Sequence, residues 1–125
     1  MRYVAVAVGA MLGAVLRFVV TNWATEHIGP DWPYGTFLIN VSGAFAIGVF
    51  LALLATKGSG VSPLVRLFLA TGFLGGYTTF SSYAWEALLL AEAGAWVKAV
   101  IYVGGSNVVG LLGVWLGAAL ARLLP

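Results

Sequence analysis

The sequence predicts an all-α membrane protein with four transmembrane helices, the third of them broken mid-membrane. Three observations predict it. Of the 125 residues, 62% are apolar and 8% charged, where a soluble domain carries about 25% charge. So small a domain cannot hide that much apolar side chain, which excludes a soluble monomer and disorder. The apolar residues also fall into four runs, each near the roughly 20 residues that cross the hydrocarbon of a bilayer. Finally, the third run is too long, and too polar in its middle, for one plain helix.

The first span runs from about Tyr3 to Trp23, before the polar stretch TEHIGPDWP, where Pro30 and Pro33 cannot continue a helix. Arg2 ahead of an apolar run has the outline of a secretory signal. Arg17 interrupts that run, however, and no small-residue cleavage site follows, so the segment is expected to be retained. The second span runs from about Gly35 to Thr56 and ends at KGSG. The third starts near Pro63, a natural first-turn residue, and runs to about Ala91. The fourth runs from about Trp96 to Leu124. Together they make one four-helix membrane domain, residues 1–125 (spans about 3–23, 35–56, 63–91 and 96–124). Short links predict antiparallel packing of successive helices. The runs are continuous and too few for a membrane barrel.

Gly9 and Gly13, Gly72 and Gly76, and Gly113 and Gly117 are spaced for close helix approach in lipid. Gly113 and Gly117 are the pair most expected to use it. Trp23, Trp32, Trp85 and Trp96 lie near expected span ends, where indole rings favour the interface.

The third span reads GFLGGYTTFSSY at its middle. Gly75 and Gly76 are poor for helix propagation, and the hydroxyls of Thr78, Thr79, Ser81 and Ser82 can bond the backbone groups that a break sets free. Non-helical backbone survives at that depth only when buried in protein or lining a wet cavity. The reading is a break, with unusual backbone angles at Gly75. The competing reading is an intact tilted helix whose hydroxyls bond its own carbonyls. Asn40 in the second span, and Tyr102, Ser106 and Asn107 in the fourth, extend a track of mostly neutral donors, or act as glue between helices.

Function classes fall away quickly. No cysteine is present and His27 is the sole histidine, so thiolate and His-rich metal sites are excluded. A formal charge of +2 is too small for a nucleic-acid surface. No nucleophile and base are paired, which argues against an enzyme. Arg17 either snorkels to the interface, or is buried or lines a vestibule. Glu86 faces a vestibule beyond the break. One four-helix subunit has little room for a central pore, so a pore at a subunit interface is the economical arrangement.

At these residues the sequence resembles a known family. GGYTTFSSY (Gly75 to Tyr83) closely matches the GGxTTFSTF signature of the Fluc fluoride channels, the CrcB family. GTFLINVSG (Gly35 to Gly43) and GAVLRF (Gly13 to Phe18) match its second- and first-helix motifs, with Asn40 and Arg17 at the characteristic positions. The match covers four spans in order.

The resemblance implies an antiparallel dual-topology homodimer in a bacterial or archaeal plasma membrane. Two narrow pores between the subunits would pass fluoride passively out of the cytoplasm. A structural sodium ion would sit on the dimer axis, held by the backbone carbonyls of Gly75 and Thr78. The pore residues would be Asn40, Phe80, Tyr83, Ser81, Ser82, Tyr102 and Ser106, with Arg17, Glu86 and Thr79 at the vestibule or in support. Tyr83 stands where the pattern has Phe, and Gly110 where some members carry a further hydroxyl.

The chemistry agrees with the residues. A pore must replace the water of small, strongly hydrated fluoride with close donors, which Thr, Ser and Asn supply. The positive edge of an aromatic ring suits an anion, rigid ring walls crowd chloride, and a cation at the break favours nearby anions.

The side bearing both termini carries Arg2, Lys57, Arg66 and Arg122, against Lys98 and Arg17 opposite. That favours termini inside and makes a paired second subunit the alternative to the homodimer. A small multidrug-type, proton-coupled transporter would need a carboxylate deep in the first helix, where this chain has none. A non-transporting assembly subunit would need neither a break nor a polar track.

Overall fold

In the computed structural model, which describes residues 1–57 and 60–124, every regular element is helical. Helix α1 (Arg2–His27) continues past Trp23 through residues that read as a polar link. It can, because the Thr21 and Thr25 hydroxyls donate to the Arg17 and Thr21 carbonyls at 2.9 and 3.0 Å, satisfying themselves within the helix. Gly29, not a proline, stops it. Its φ of 122° turns the chain, while the N–H groups of Ile28 and Gly29 both reach the Ala24 carbonyl.

Helix α2 (Tyr34–Lys57) is the second span. Part of the KGSG stretch expected to end it lies outside the described residues.

The third crossing is composite. Ser62 caps α3 (Pro63–Arg66), accepting from the Leu64 N–H at 3.3 Å. The π-helical segment Leu67–Leu74 and the short α4 (Gly75–Tyr77) follow. The chain then breaks at Thr78 and Thr79 and resumes as α5 (Phe80–Glu92). Gly94, with φ 72°, turns it into α6 (Trp96–Leu123). By length and composition α1, residues 34–56 and α6 are each able to cross a membrane.

The break is displaced from where the glycines suggested. Gly75 has ordinary helical angles, φ −64° and ψ −35°. The extended backbone belongs to Thr78 (φ −86°, ψ 160°) and Thr79 (φ −150°, ψ 126°). β-Branched residues favour that region. The expectation of unusual angles at Gly75 is therefore wrong. The π segment was not foreseen; such turns are uncommon and gather at functional sites.

The closest helix pairs are not the consecutive ones. The most extensive packing joins α2 to α6, then α1 to the π segment and α4. Glycines line both seams. A Cβ on Gly9, Gly13 or Gly76 would collide with backbone of the facing helix, at Phe68, Phe73 and Ala10 respectively. Gly48 and Gly117 do the same between α2 and α6, at Val114 and Phe45. Gly113, expected to be among the tightest, is the loosest of the expected set, its nearest contact 3.4 Å from the Val41 carbonyl oxygen. Trp32, in the link between α1 and α2, packs edge-on against Tyr102 at 5.2 Å. Much of the remaining surface is apolar, as lipid contact requires.

Candidate functional site

The break is held from two sides by long-range side-chain bonds. On α2, Asn40 uses both ends of its amide on one residue. Its Oδ1 accepts from the Thr79 N–H at 2.8 Å, and its Nδ2 donates to the Thr79 carbonyl at 2.9 Å. On α1, Arg17 Nη1 donates to the Thr78 carbonyl at 3.3 Å. Arg17 therefore does not snorkel; it reaches inward to the break.

Thr79 also caps α5. Its Oγ1 accepts from the Ser82 N–H at 3.2 Å and lies within bonding distance of the Ser81 and Ser82 hydroxyls. Thr78 Oγ1 donates to the Leu74 carbonyl at 3.0 Å, closing the end of α4.

Two cavities meet at this point. The larger, about 710 Å³, is lined by Arg17, Thr21, Thr36, Ser82 and Glu86 among others. The smaller, about 250 Å³, is lined by Asn40, Thr78, Phe80, Tyr83, Ser106 and Asn107. Thr79 belongs to both walls. The larger cavity has both Arg17 and Glu86 on its walls. The smaller is a pocket of amides, hydroxyls and rings. Phe80 stands at its mouth, 79% exposed, with its ring 5.6 Å from that of Tyr83. The Ser106 hydroxyl is buried and makes no hydrogen bond.

Behind the pocket lies a network that motif reading only half found. Glu86 accepts from the Thr36 hydroxyl at 2.8 Å and from the Tyr102 hydroxyl at 2.6 Å. Tyr102 is fully buried and lines neither cavity. Its ring is 5.3 Å from Tyr83, so it backs the pocket wall instead of forming its surface. Thr36 and Trp32 were missed: nothing local marks a threonine near the start of a helix as a partner of the half-buried Glu86, or a loop tryptophan as packing on Tyr102. Asn107, read as part of the polar track or as glue between helices, joins α6 to α5: its Nδ2 donates to the Tyr83 hydroxyl at 2.8 Å.

A sodium ion at the break was tested against the donors present. Because the Thr79 N–H goes to Asn40, the Gly75 carbonyl loses its regular helical partner. The Thr78 carbonyl faces the break with Arg17 as its donor. Carbonyls at a half-helix C-terminus suit such a cation. Gly75 and Thr78 both line a third cavity of about 400 Å³. The residues fit in kind. One chain offers too few oxygens for a full shell, so a second copy would have to complete it. No group of three or more His, Cys, Asp or Glu residues offers another metal site among the described residues.

Three helices able to cross a membrane, a broken helix beside them and neutral donors around the break fit a membrane protein of the kind that builds ion pathways from interrupted helices. The family model described as CrcB-like protein, Camphor Resistance (CrcB), matches residues 4–118, and the chain belongs to that family. It is 47% identical over 125 residues to a protein of Roseiflexus sp. (strain RS-1), covering all of both chains. It is 46% identical over 118 residues to one of Chloroflexus aurantiacus (94% of this chain, 93% of the relative). To one of Acidobacterium capsulatum it is 47% identical over 117 residues, 94% of this chain and 93% of the relative. All three relatives are named fluoride-specific ion channel FluC.

Proposed function

We propose that this protein is a fluoride-selective channel that lets fluoride leave the cytoplasm passively and so reduces its toxicity. The chain is not an enzyme; relatives spanning its whole length bear a channel's name. The observation that carries the reading is the pocket at the break. Asn40, Thr79 and Ser106 line it with neutral donors, and an exposed Phe80 ring guards it. Stripping fluoride of water demands short-range donors at every point. An unpartnered Ser106 hydroxyl and ring edges from Phe80 and Tyr83 offer them.

The working unit is an antiparallel homodimer with two pores along its interface, not a pairing with a different second subunit. Exposed polar groups near mid-span support a protein partner over lipid: the Ser42 hydroxyl pairs with that of Tyr77 at 3.0 Å, and Asn107 is exposed near the middle of α6. Polar side chains at that depth are normally covered by protein or water. Sodium would be held by the Gly75 and Thr78 carbonyls of both subunits, and its charge would favour anions nearby. The Arg17 guanidinium adds fixed positive charge at the vestibule. Fluoride would enter past Arg17 and Ser82, pass the break at Thr79, and move along Asn40, Phe80, Tyr83 and Ser106. Ser81 would aid entry, and Glu86 and Tyr102 would brace the wall. The membrane is the bacterial or archaeal plasma membrane.

The test is anion efflux from liposomes bearing the purified protein, triggered by a potassium ionophore. Fluoride should leave quickly and chloride hardly at all. Comparable chloride efflux would sink the proposal.

A further inference from the structure

The Tyr83 hydroxyl lies inside a membrane-spanning unit, where a polar group needs a partner. Asn107 supplies it. Its Nδ2 carries two protons, directed to the Val103 carbonyl at 2.7 Å and to the Tyr83 hydroxyl at 2.8 Å. The hydroxyl's own proton finds the Val103 carbonyl only at 3.5 Å, so the Asn107 bond is the strong one.

The geometry gives that bond a particular effect. A tyrosine hydroxyl lies on the axis about which the ring flips. The bond therefore leaves flipping free but fixes where the ring sits. The ring sits between Phe80 at 5.6 Å and Tyr102 at 5.3 Å, on the wall of the 250 Å³ cavity. In the same cavity the buried Ser106 hydroxyl has no partner. A Tyr83 hydroxyl released from Asn107 keeps only its long Val103 contact, and the ring is then free to shift within the cavity it shares with the Ser106 hydroxyl.

We propose that Asn107 is a positioning residue: it ties Tyr83 to the α6 backbone, keeps the ring out of the pocket at the break, and so keeps that pocket open to an ion. The proposal rests on the channel reading above. It makes Asn107 matter only because position 83 bears a hydroxyl.

The test is a double-mutant cycle in liposomes with Asn107→Leu, Tyr83→Phe and both together. Asn107→Leu should slow fluoride efflux by about tenfold, within the range of coupling between directly bonded side chains. Whatever rate Tyr83→Phe sets by itself, adding Asn107→Leu to it should leave that rate unchanged. An equal loss from Asn107→Leu in both backgrounds would mean that Asn107 acts through packing alone and would overturn the proposal, as would no loss at all. If Asn107→Leu fails to assemble, Asn107→Ala in the same two backgrounds gives the same decision. A fluorinated tyrosine at position 83 supplies a readout independent of conduction. Its fluorine resonance should shift or broaden when Asn107 is replaced, and an unchanged resonance would overturn the proposal even if the parent conducts no fluoride.

Discussion

Replacing Asn40 by leucine tests what holds the third crossing open. The side chains are similar in size, so the change removes bonds more than volume. Thr79 is 8% exposed, and its N–H and C=O each have Asn40 as their short-range partner, at 2.8 and 2.9 Å. Stranding a buried backbone group costs about 1–3 kcal/mol, and two groups are stranded together. A membrane protein's unfolded state also finds partners within the bilayer, which pulls such costs toward the low end. Asn40→Leu should therefore destabilise the protein by about 2–3 kcal/mol, the lower part of the summed range. It should also slow fluoride efflux, because the same bonds set the shape of the pocket. The stability assay is unfolding by a denaturing detergent, run beside the liposome assay. Stability within about 0.5 kcal/mol of the parent, the ordinary span of a neutral surface change, would refute the clamp. If flux were lost at full stability, Asn40 would belong to the ion path alone.

Two contrasts follow from the glycines and the break. A Cβ at Gly75 has its nearest contact 3.9 Å away, while one at Gly76 would strike the Ala10 backbone. Gly76→Ala should cost about 1–3 kcal/mol by overpacking and Gly75→Ala far less, as read from thermal unfolding in detergent; equal effects would refute the seam. If sodium bridges the Gly75 and Thr78 carbonyls of two subunits, the dimer's lifetime in detergent should shorten when a large organic cation replaces sodium at fixed ionic strength. An unchanged lifetime would remove the structural sodium.

How much of this was legible beforehand varies with the range of the interaction. Three of the spans were, because hydropathy acts on each segment alone. The break was legible as a cluster of hydroxyls, but its position was read from soluble helix propensities, which treat Gly75 and Gly76 as breakers. In the fold Gly76 lets α4 touch α1, and the β-branched Thr78 and Thr79 take the extended angles. Link lengths gave helix direction and said nothing of which helices touch. Asn40 was visibly polar, yet its bonds run to Thr79, 39 positions on. The functional roles of Phe80, Ser106 and their neighbours came from a motif, since spacing alone does not distinguish a pore lining from a packed seam.

The pairing of alternate helices sets a schedule for making the protein. Helix α1 has its glycine seam against the π segment and α4, and α2 has its own against α6. Neither partner exists when the first two helices leave the ribosome. Both must wait in the insertion machinery or the bilayer with bare glycine faces until more of the chain arrives. Only when α4 appears can the α1 seam close, and only at α6 can that of α2. A chain cut short after α2 would hold two inserted helices and neither of its main seams, an easy target for membrane quality control. Arrest during synthesis should therefore leave protease-sensitive intermediates up to the emergence of α6, with resistance appearing late and abruptly.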